Sequence, residues 1–168
     1  MLTILANNKR ESTQSNPTMK AELMKAAYLT GRRDFSHAHL QHICLHKAQL
    51  AKINLSYAYL NRTVLSKANL EKSFLNRAIL YAANLSQAKL YRASMIEANL
   101  QNANLSHADL SHANLSGANL QNANLDHAKL VWANLRGANF RNANLKGVNL
   151  RGAIFQETIM PDGSIRNG

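Results

Sequence analysis

The chain has 168 residues, of which 46% are hydrophobic and 6% aromatic, and its formal net charge is +11. This length fits a single domain, and two prolines and seven glycines are too few for a collagen-like or low-complexity chain. With one cysteine, Cys44, the chain cannot form an internal disulfide. The positive charge favours an acidic partner, such as nucleic acid, an anionic surface or an acidic protein.

Residues 1–14 are expected to form a flexible N-terminal segment. Their apolar run, Leu2–Ala6, is interrupted by Thr3, and the basic residues Lys9 and Arg10 follow it. A secretory signal needs its basic residues before a longer apolar stretch. No later stretch is apolar enough to span a membrane. We therefore expect a cytoplasmic protein without membrane contact.

Residues 15–32 are predicted to form a helical N-terminal cap. Asn16 is a good N-cap residue, Pro17 suits the first turn, and Gly31 can end the helix. The apolar side of this helix is expected to consist of Met19, Leu23, Met24, Ala26 and Ala27.

Over residues 33–160 a large apolar residue recurs at every fifth position. All 26 positions from Phe35 to Met160 are large and apolar, and 21 of them are leucine. Alanine stands two residues earlier at 19 of these 26 positions, and Asn or Asp stands between at 14. Five residues turn a helical side chain by about 140°, and five is an odd step on a strand. Only a chain that turns a corner every five residues keeps all these side chains in one core.

The corners are predicted to lie two residues after each leucine. A type II turn needs a positive φ at its third residue, which favours glycine and, less strongly, asparagine. No Val, Ile or Thr occupies this slot between His37 and Gly152. Within the repeats, glycine occurs only there, as Gly117, Gly137, Gly147 and Gly152.

The run from Ala98-Asn99-Leu100 to Ala143-Asn144-Leu145 resembles the pentapeptide-repeat family, whose consensus is Ala-(Asp/Asn)-Leu-X-X. The end of the chain, from Thr158 to Gly163, is similar to the closing segment of cyanobacterial members. The resemblance implies an all-β solenoid over residues 33–160: a right-handed quadrilateral β-helix with four pentapeptides in each coil. Residues 161–168 are expected to form a C-terminal turn and tail. Positions twenty residues apart would then stack in columns, about 4.8 Å from coil to coil.

The first coils depart from the consensus in two ways. Larger or polar residues replace alanine, which predicts less regular coils, at Ile43, Ile53, Thr63 and Ser73. Apolar residues replace the outward asparagine, and we expect the N-terminal segment to cover some of them: Cys44, Tyr59, Val64, Phe74 and Ile79.

The sequence contains no arrangement typical of catalysis. Its nine acidic residues form no convincing acid–base pair, and there is no glycine-rich phosphate loop or nucleophile motif. His107 and His127 would lie one coil apart, but no cysteine or carboxylate completes a ligand set. We therefore predict no enzyme activity, no cofactor and no metal site.

Basic residues are concentrated in the first half of the repeats. Between Arg32 and Arg92 there are ten Lys or Arg and two acidic residues. The candidate anion-binding surface consists of Lys47, Lys52, Arg62, Lys67, Lys72, Arg77 and Arg92. In the twenty-residue register, Lys52, Lys72 and Arg92 form one column. A merely solvated surface is the alternative, because like charges about 5 Å apart in water repel by about 1 kcal/mol or less.

Val131 and Trp132 form a candidate partner patch, since an exposed apolar patch often marks an interaction surface. Some members of the family that the repeats resemble are described as DNA mimics that bind type II topoisomerases, a mechanism that needs an acidic rod. Because this chain is basic, we exclude that mechanism. Our first interpretation is a non-catalytic protein-interaction or regulatory module. The alternative is a binder of nucleic acid or another anionic surface through the basic columns, and the oligomeric state stays open.

Overall fold

Residues 17–168 form one helix, a long rod of stacked coils and a short hairpin. The computed structural model describes residues 17–168. Helix α1 spans Pro17–Leu29, strand β1 spans Thr158–Ile159, and strand β2 spans Ile165–Arg166. The segment 1–14, which the sequence predicts to be flexible, lies outside the described residues.

The rod repeats every twenty residues. Its isolated parallel bridges each join residues twenty positions apart, from Asp34 and Asn54 to Asn139 and Ile159. Backbone hydrogen bonds also join neighbouring coils: the Leu100 N–H, for example, donates to the Asn119 carbonyl at 2.7 Å. Four pentapeptides therefore complete one coil. This confirms that residues twenty positions apart lie in columns along the rod.

The corners are turns with a positive φ at their third residue. In the turn that starts at Leu100, the Ala103 N–H donates to the Leu100 carbonyl at 3.0 Å, and Asn102 has φ +59°. This is the geometry of a type II turn. The slot holds glycine at Gly152 (φ +68°) but also a bulky residue at Trp132 (φ +57°). The predicted corner position is confirmed, and its side chains stand at the edges of the rod.

A core of leucine and alanine fills the rod. Leu105 has no exposed surface, and Ala103 is 1% exposed. Deviating residues in the first coils are buried as well, and the inter-coil bridges continue past them. The expectation of irregular coils there is wrong, because the rod accommodates Ile43 and Ile53 without losing its register.

The two polar residues that replace alanine satisfy their hydroxyl groups within the rod. Thr63 Oγ1 donates to the Leu40 carbonyl at 2.8 Å, and Ser73 Oγ donates to the Leu70 carbonyl at 2.7 Å. Buried hydroxyls are costly only when they lack a partner. These two side chains therefore fit the core without distorting the coil.

The outward asparagines support both the corners and the stacking of coils. Asn104 Oδ1 accepts a hydrogen bond from the Ser106 N–H at 3.0 Å, inside the turn that follows. Asn124 Nδ2 donates to Asn104 Oδ1 at 3.4 Å, and Asn144 Nδ2 donates to Asn124 Oδ1 at 3.0 Å. One amide side chain thus braces its own corner and contacts the next coil.

Helix α1 closes the N-terminal end of the rod. Ala21 and Met24 are buried, whereas Leu23 is 44% exposed and Ala26 is exposed as well, so these two do not belong to the apolar side that the sequence predicted. The Tyr28 hydroxyl donates to the Ala51 carbonyl at 2.8 Å. The predicted N-cap, Asn16, lies outside the described residues.

Helix α1 ends where the sequence predicted. Gly31 has φ +100°, its N–H donates to the Tyr28 carbonyl, and the Arg32 N–H donates to the Ala27 carbonyl. This pair of bonds is a Schellman motif, which a glycine completes without steric strain. The chain then enters the first coil.

The described helix does not cover the outward apolar residues of the first coils. It packs against the coil that contains Ala51, and Cys44, Tyr59 and Phe74 stay exposed. These three side chains are therefore part of the outer surface, while Val64 and Ile79 are partly buried. Because residues 1–16 lie outside the described residues, the expectation that the N-terminal segment covers some of the five stays a prediction.

A β-hairpin closes the other end. Strands β1 and β2 pair antiparallel, and the Gly163 N–H donates to the Met160 carbonyl in the intervening turn. Phe155 is buried beneath the hairpin, with the Arg166 guanidinium 3.6 Å from the centre of its ring. The sequence predicted only a turn and tail after residue 160, so the second strand is an addition to that expectation.

Candidate interaction surfaces

The rod has four flat faces and four corners, each a column of residues twenty positions apart. The outward residues of face 1 are at positions 34, 54 and 74, of face 2 at 39, 59 and 79, of face 3 at 44, 64 and 84, and of face 4 at 49, 69 and 89. Corner 1–2 holds positions 37, 57 and 77, corner 2–3 holds 42, 62 and 82, corner 3–4 holds 47, 67 and 87, and corner 4–1 holds 52, 72 and 92. Every column continues in steps of twenty.

The structure divides the seven predicted anion-binding residues between opposite sides of the rod. Two of them, Arg62 on corner 2–3 and Arg77 on corner 1–2, flank face 2. The other five flank face 4, and these are Lys47, Lys52, Lys67, Lys72 and Arg92. The seven residues therefore occupy all four corners and do not lie on one face.

The basic face is the part of face 4, with its corners, that contains Lys47, Lys52, Lys67, Lys72, Lys89 and Arg92. Sequence reasoning did not include Lys89, which stands in the slot of the outward asparagine, although the register 49, 69, 89 would have placed it there. Glu71, beside Lys72, is the one acidic residue in these three coils of the face. Within residues 17–168, no ion pair neutralises the six bases.

Arg77 is held by its neighbours. Its Nε donates to Glu97 Oε2 at 2.8 Å, and one terminal nitrogen donates to the Tyr57 hydroxyl at 3.3 Å. The hydrogen bond to Glu97, and after it the one to Tyr57, raises the pKa of the Arg77 guanidinium. Its charge is therefore permanent but partly compensated, which makes it a weaker anion ligand than an unpaired base.

Trp132 lies on corner 4–1, in the same column as Lys52, Lys72 and Arg92. The two sites that the sequence suggested separately, the basic column and the tryptophan patch, thus share one corner. Trp132 is 54% exposed, and Val131 beside it is partly buried.

The Trp132 ring rests on the next coil. A β-carbon built on Gly152 would lie only 2.4 Å from Trp132 Cε3 and 2.5 Å from Cδ2. A glycine is needed at this place because any side chain would occupy the position of the indole. The ring is therefore held flat against backbone on one side.

Two histidines stack on corner 3–4. The His107 and His127 rings are 5.4 Å apart and nearly parallel, and His127 covers Gly147 as Trp132 covers Gly152. Within residues 17–168, no group of three His, Cys, Asp or Glu side chains is placed to hold a metal ion.

A further surface on face 2 was not predicted as a site. Its outward column consists of His39, Tyr59 and Ile79, and the His39 and Tyr59 rings stack 4.6 Å apart at 8°. On the adjoining corner 1–2, His37 and Tyr57 stack 4.9 Å apart at 4°. We call this surface the aromatic face: His37, His39, Tyr57, Tyr59, Ile79 and Tyr81.

The aromatic face is confined to the first coils. Further along face 2, the same column contains Asn99, Asn119 and Asn139, the residue type of the family consensus. Sequence reasoning noticed Tyr59 and Ile79 but grouped them with the apolar residues of which the N-terminal segment was expected to cover some. The twenty-residue register was the signal that could have grouped them as a surface.

A small pocket lies between α1 and the first coil. Its volume is about 190 Å³, and its lining consists of Lys25, Tyr28, Leu29, Ala48, Gln49 and Leu50. Small-molecule sites are usually about 300–1,000 Å³, so this pocket is smaller than most of them.

No helix of the described residues is long and apolar enough to cross a membrane.

Models of the pentapeptide repeat match the chain in eight copies, including residues 34–71, 43–80, 58–95, 78–117, 93–131 and 118–157. The chain belongs to the pentapeptide-repeat family. The matches indicate no catalytic family. Pentapeptide-repeat proteins fold as right-handed quadrilateral β-helices, in agreement with the four-sided coil described above. A sequence search among curated proteins finds no match.

Solved pentapeptide-repeat structures include cyanobacterial ones. Rfr23 from the cyanobacterium Cyanothece 51142 is 28% identical, covering 83% of this chain and 99% of its own, with a TM-score of 0.57. HetL from the cyanobacterium Nostoc sp. strain PCC 7120, which is involved in heterocyst differentiation regulation, is 29% identical. It covers 85% of this chain and 98% of its own, with a TM-score of 0.28.

Proposed function

We propose that this pentapeptide-repeat protein is a non-catalytic interaction module that binds a partner protein through its aromatic face. The observation that carries the proposal is the column of His39, Tyr59 and Ile79, which stands outward on a flat face where the repeat otherwise places asparagine. Tyr59 is 37% exposed, and neighbouring Tyr57 is 42% exposed. Exposed aromatic residues grouped on a rigid surface are typical of protein interfaces.

The stacked side chains favour binding because they are already ordered. His39 and Tyr59 hold each other in parallel planes, and Tyr57 is fixed between His37 and Arg77. A side chain that is ordered before binding loses less conformational entropy at the interface. The backbone beneath these side chains is hydrogen-bonded to the neighbouring coils of the β-helix.

Site-specific crosslinking tests this proposal. A photoreactive amino acid placed at Ile79 should capture one protein in the native cell, whereas the same amino acid at Asn119, two coils further along face 2, should not. With the captured partner purified, Tyr59→Asn should weaken binding about tenfold or more, as truncation of an aromatic hot spot does. Asparagine is the consensus residue in this slot, so the variant should keep its fold. Equal capture at both positions, or unchanged affinity of Tyr59→Asn, would contradict the proposal.

The basic face supports a second candidate function, the binding of nucleic acid. Six basic residues and one acidic residue lie in three successive coils of face 4. Contacts between basic side chains and phosphates give affinity without sequence specificity. Faces 2 and 4 are on opposite sides of the rod, so both surfaces can be occupied at once. Binding of labelled DNA that weakens steeply with salt would support this function, and no binding at low salt would exclude it.

A further inference from the structure

Corner 4–1 combines cations and aromatic rings in one straight column. Lys52, Lys72 and Arg92 are followed in the same register by His112 and Trp132. Four coil spacings of about 4.8 Å separate the first of these residues from the last, or about 19 Å. On each of the other three corners, the first three coils do not contain three basic residues in a row.

The aromatic end of this column is a built platform. The benzo ring of Trp132 lies against Gly152, so one side of the indole is supported while 54% of the residue stays exposed. Halfway along, the Arg92 guanidinium lies 5.3 Å from the centre of the Tyr91 ring, and Tyr91 meets His112 edge to face at 5.4 Å. These contacts order the side chains along the corner.

We propose that corner 4–1 is a binding track for single-stranded nucleic acid, with phosphates on Lys52, Lys72 and Arg92 and a base stacked on Trp132. Proteins that bind single strands combine a positive path for the backbone with aromatic rings on which bases stack. Lys89 and the lysines of corner 3–4 add attraction from the adjoining face. The inference rests on the second candidate function, since it names the ligand class of the basic face.

A single strand fits this corner better than a duplex does. The bases of a duplex are stacked inside the helix, so the indole on a convex corner could not reach one. A single strand leaves its bases free to stack on an aromatic ring. The 3.4 Å rise of one strand of B-form DNA is the spacing of fully stacked nucleotides, so a less stacked single strand places at most about six nucleotides along 19 Å.

Trp132 is the single tryptophan of the chain, so its intrinsic fluorescence reports directly on this site. The probe is an oligothymidine of about 12 nucleotides, twice the length of the track. Titration at low salt should quench the Trp132 emission as the base stacks. The same oligonucleotide in a duplex should bind about tenfold more weakly and leave the emission unchanged.

Two variants separate the roles of stacking and charge. Trp132→Ala should weaken binding of the labelled single strand about tenfold and leave duplex binding unchanged. Its corner should persist, because Ala82 already occupies an equivalent slot with φ +53°. Combined Lys52→Gln, Lys72→Gln and Arg92→Gln should reduce the slope of log affinity against log salt by about two. The matched control, Arg62→Gln, Arg136→Gln and Arg141→Gln, removes the same charge around face 2 and should leave that slope nearly unchanged.

Each result decides a distinct point. Equal binding of single strand and duplex with unchanged Trp132 emission would overturn the track but leave nucleic-acid binding by the basic face. The absence of binding at tens of micromolar would overturn both. Quenching by polyglutamate of equal charge, as strong as that by oligothymidine, would assign the corner to acidic protein instead.

Discussion

Trp132 lies flat on Gly152, one coil further along the same corner. Gly152 therefore meets two demands at once, a φ of +68° and free space above its α-carbon. Gly137 has nearly the same backbone, with φ +65°, but a β-carbon there would meet its nearest neighbour at an ordinary 3.8 Å. The two glycines form a matched pair in which only one supports an aromatic ring.

Gly152→Ala should displace Trp132, whereas Gly137→Ala should not. Both substitutions place a β-carbon at positive φ, which costs about 1–2 kcal/mol. Only the first also forces the indole away, so it should shift the Trp132 emission to longer wavelength and lower the Tm further. Fluorescence spectra and thermal melts of the two variants measure this. Identical spectra and melting points would mean that the ring does not rest on Gly152 in solution.

Gly137→Val should destabilise the rod more than Ser116→Val. Gly137 is the third residue of its turn, at positive φ, where a β-branched side chain is strained, while Ser116 is the second residue of the turn one coil earlier on the same corner. We expect a difference of about 1–3 kcal/mol, measured by thermal melts of both variants. Equal losses would show that the positive-φ slot is misassigned.

Leu105→Asp should unfold the rod. Leu105 is fully buried among leucine and alanine, so the carboxylate would have no partner there, and the expected loss exceeds about 4 kcal/mol. Asn104→Asp is the control, since the adjacent side chain points outward and Asp109 already fills an equivalent slot on face 4. Circular dichroism should show loss of β structure only in the first variant. An unchanged Tm for Leu105→Asp would be incompatible with its inward position.

The protein should not inhibit gyrase supercoiling as a mimic of DNA. Such mimicry requires negative charge along the rod, whereas this chain has a net charge of +11 and a basic face in its first half. A supercoiling assay with DNA in excess checks this, because excess DNA removes inhibition caused by coating of the substrate. Inhibition that persists there, with direct binding to the enzyme, would refute the prediction.

The period of five residues was sufficient to predict the core and the corners: a buried Leu105 and a positive φ at Gly137 follow from one rule about where a chain must turn. The alignment of Lys52 with Lys72 also required the four pentapeptides in each coil that the family resemblance implied. Such inferences succeed because each pentapeptide contacts only its neighbours at a fixed step. The place of a residue within its pentapeptide therefore decides whether its side chain lies in the core, on a face or at a corner.

The grouping of surface residues was less predictable. Arg62 and Lys67 are five residues apart and look alike in sequence, yet they stand on different corners, at opposite edges of face 3. Assigning them requires each residue to be placed on its own quarter of the coil. Leu23 and the second strand of the hairpin depend on how the ends of the rod meet their caps, where the repeat no longer applies.

Because each coil has twenty residues, the number of residues between two positions decides whether their side chains lie on the same side of the rod. Removing one pentapeptide between Arg92 and Trp132 would rotate all later residues by a quarter of a turn about the rod axis. The indole would then no longer lie on the same corner as the basic residues. Removing four would shorten the rod and keep every later residue on its original side. Insertion or deletion of a whole coil thus changes only the length of the rod. Insertion or deletion of a single pentapeptide changes the side of the rod on which every later residue lies.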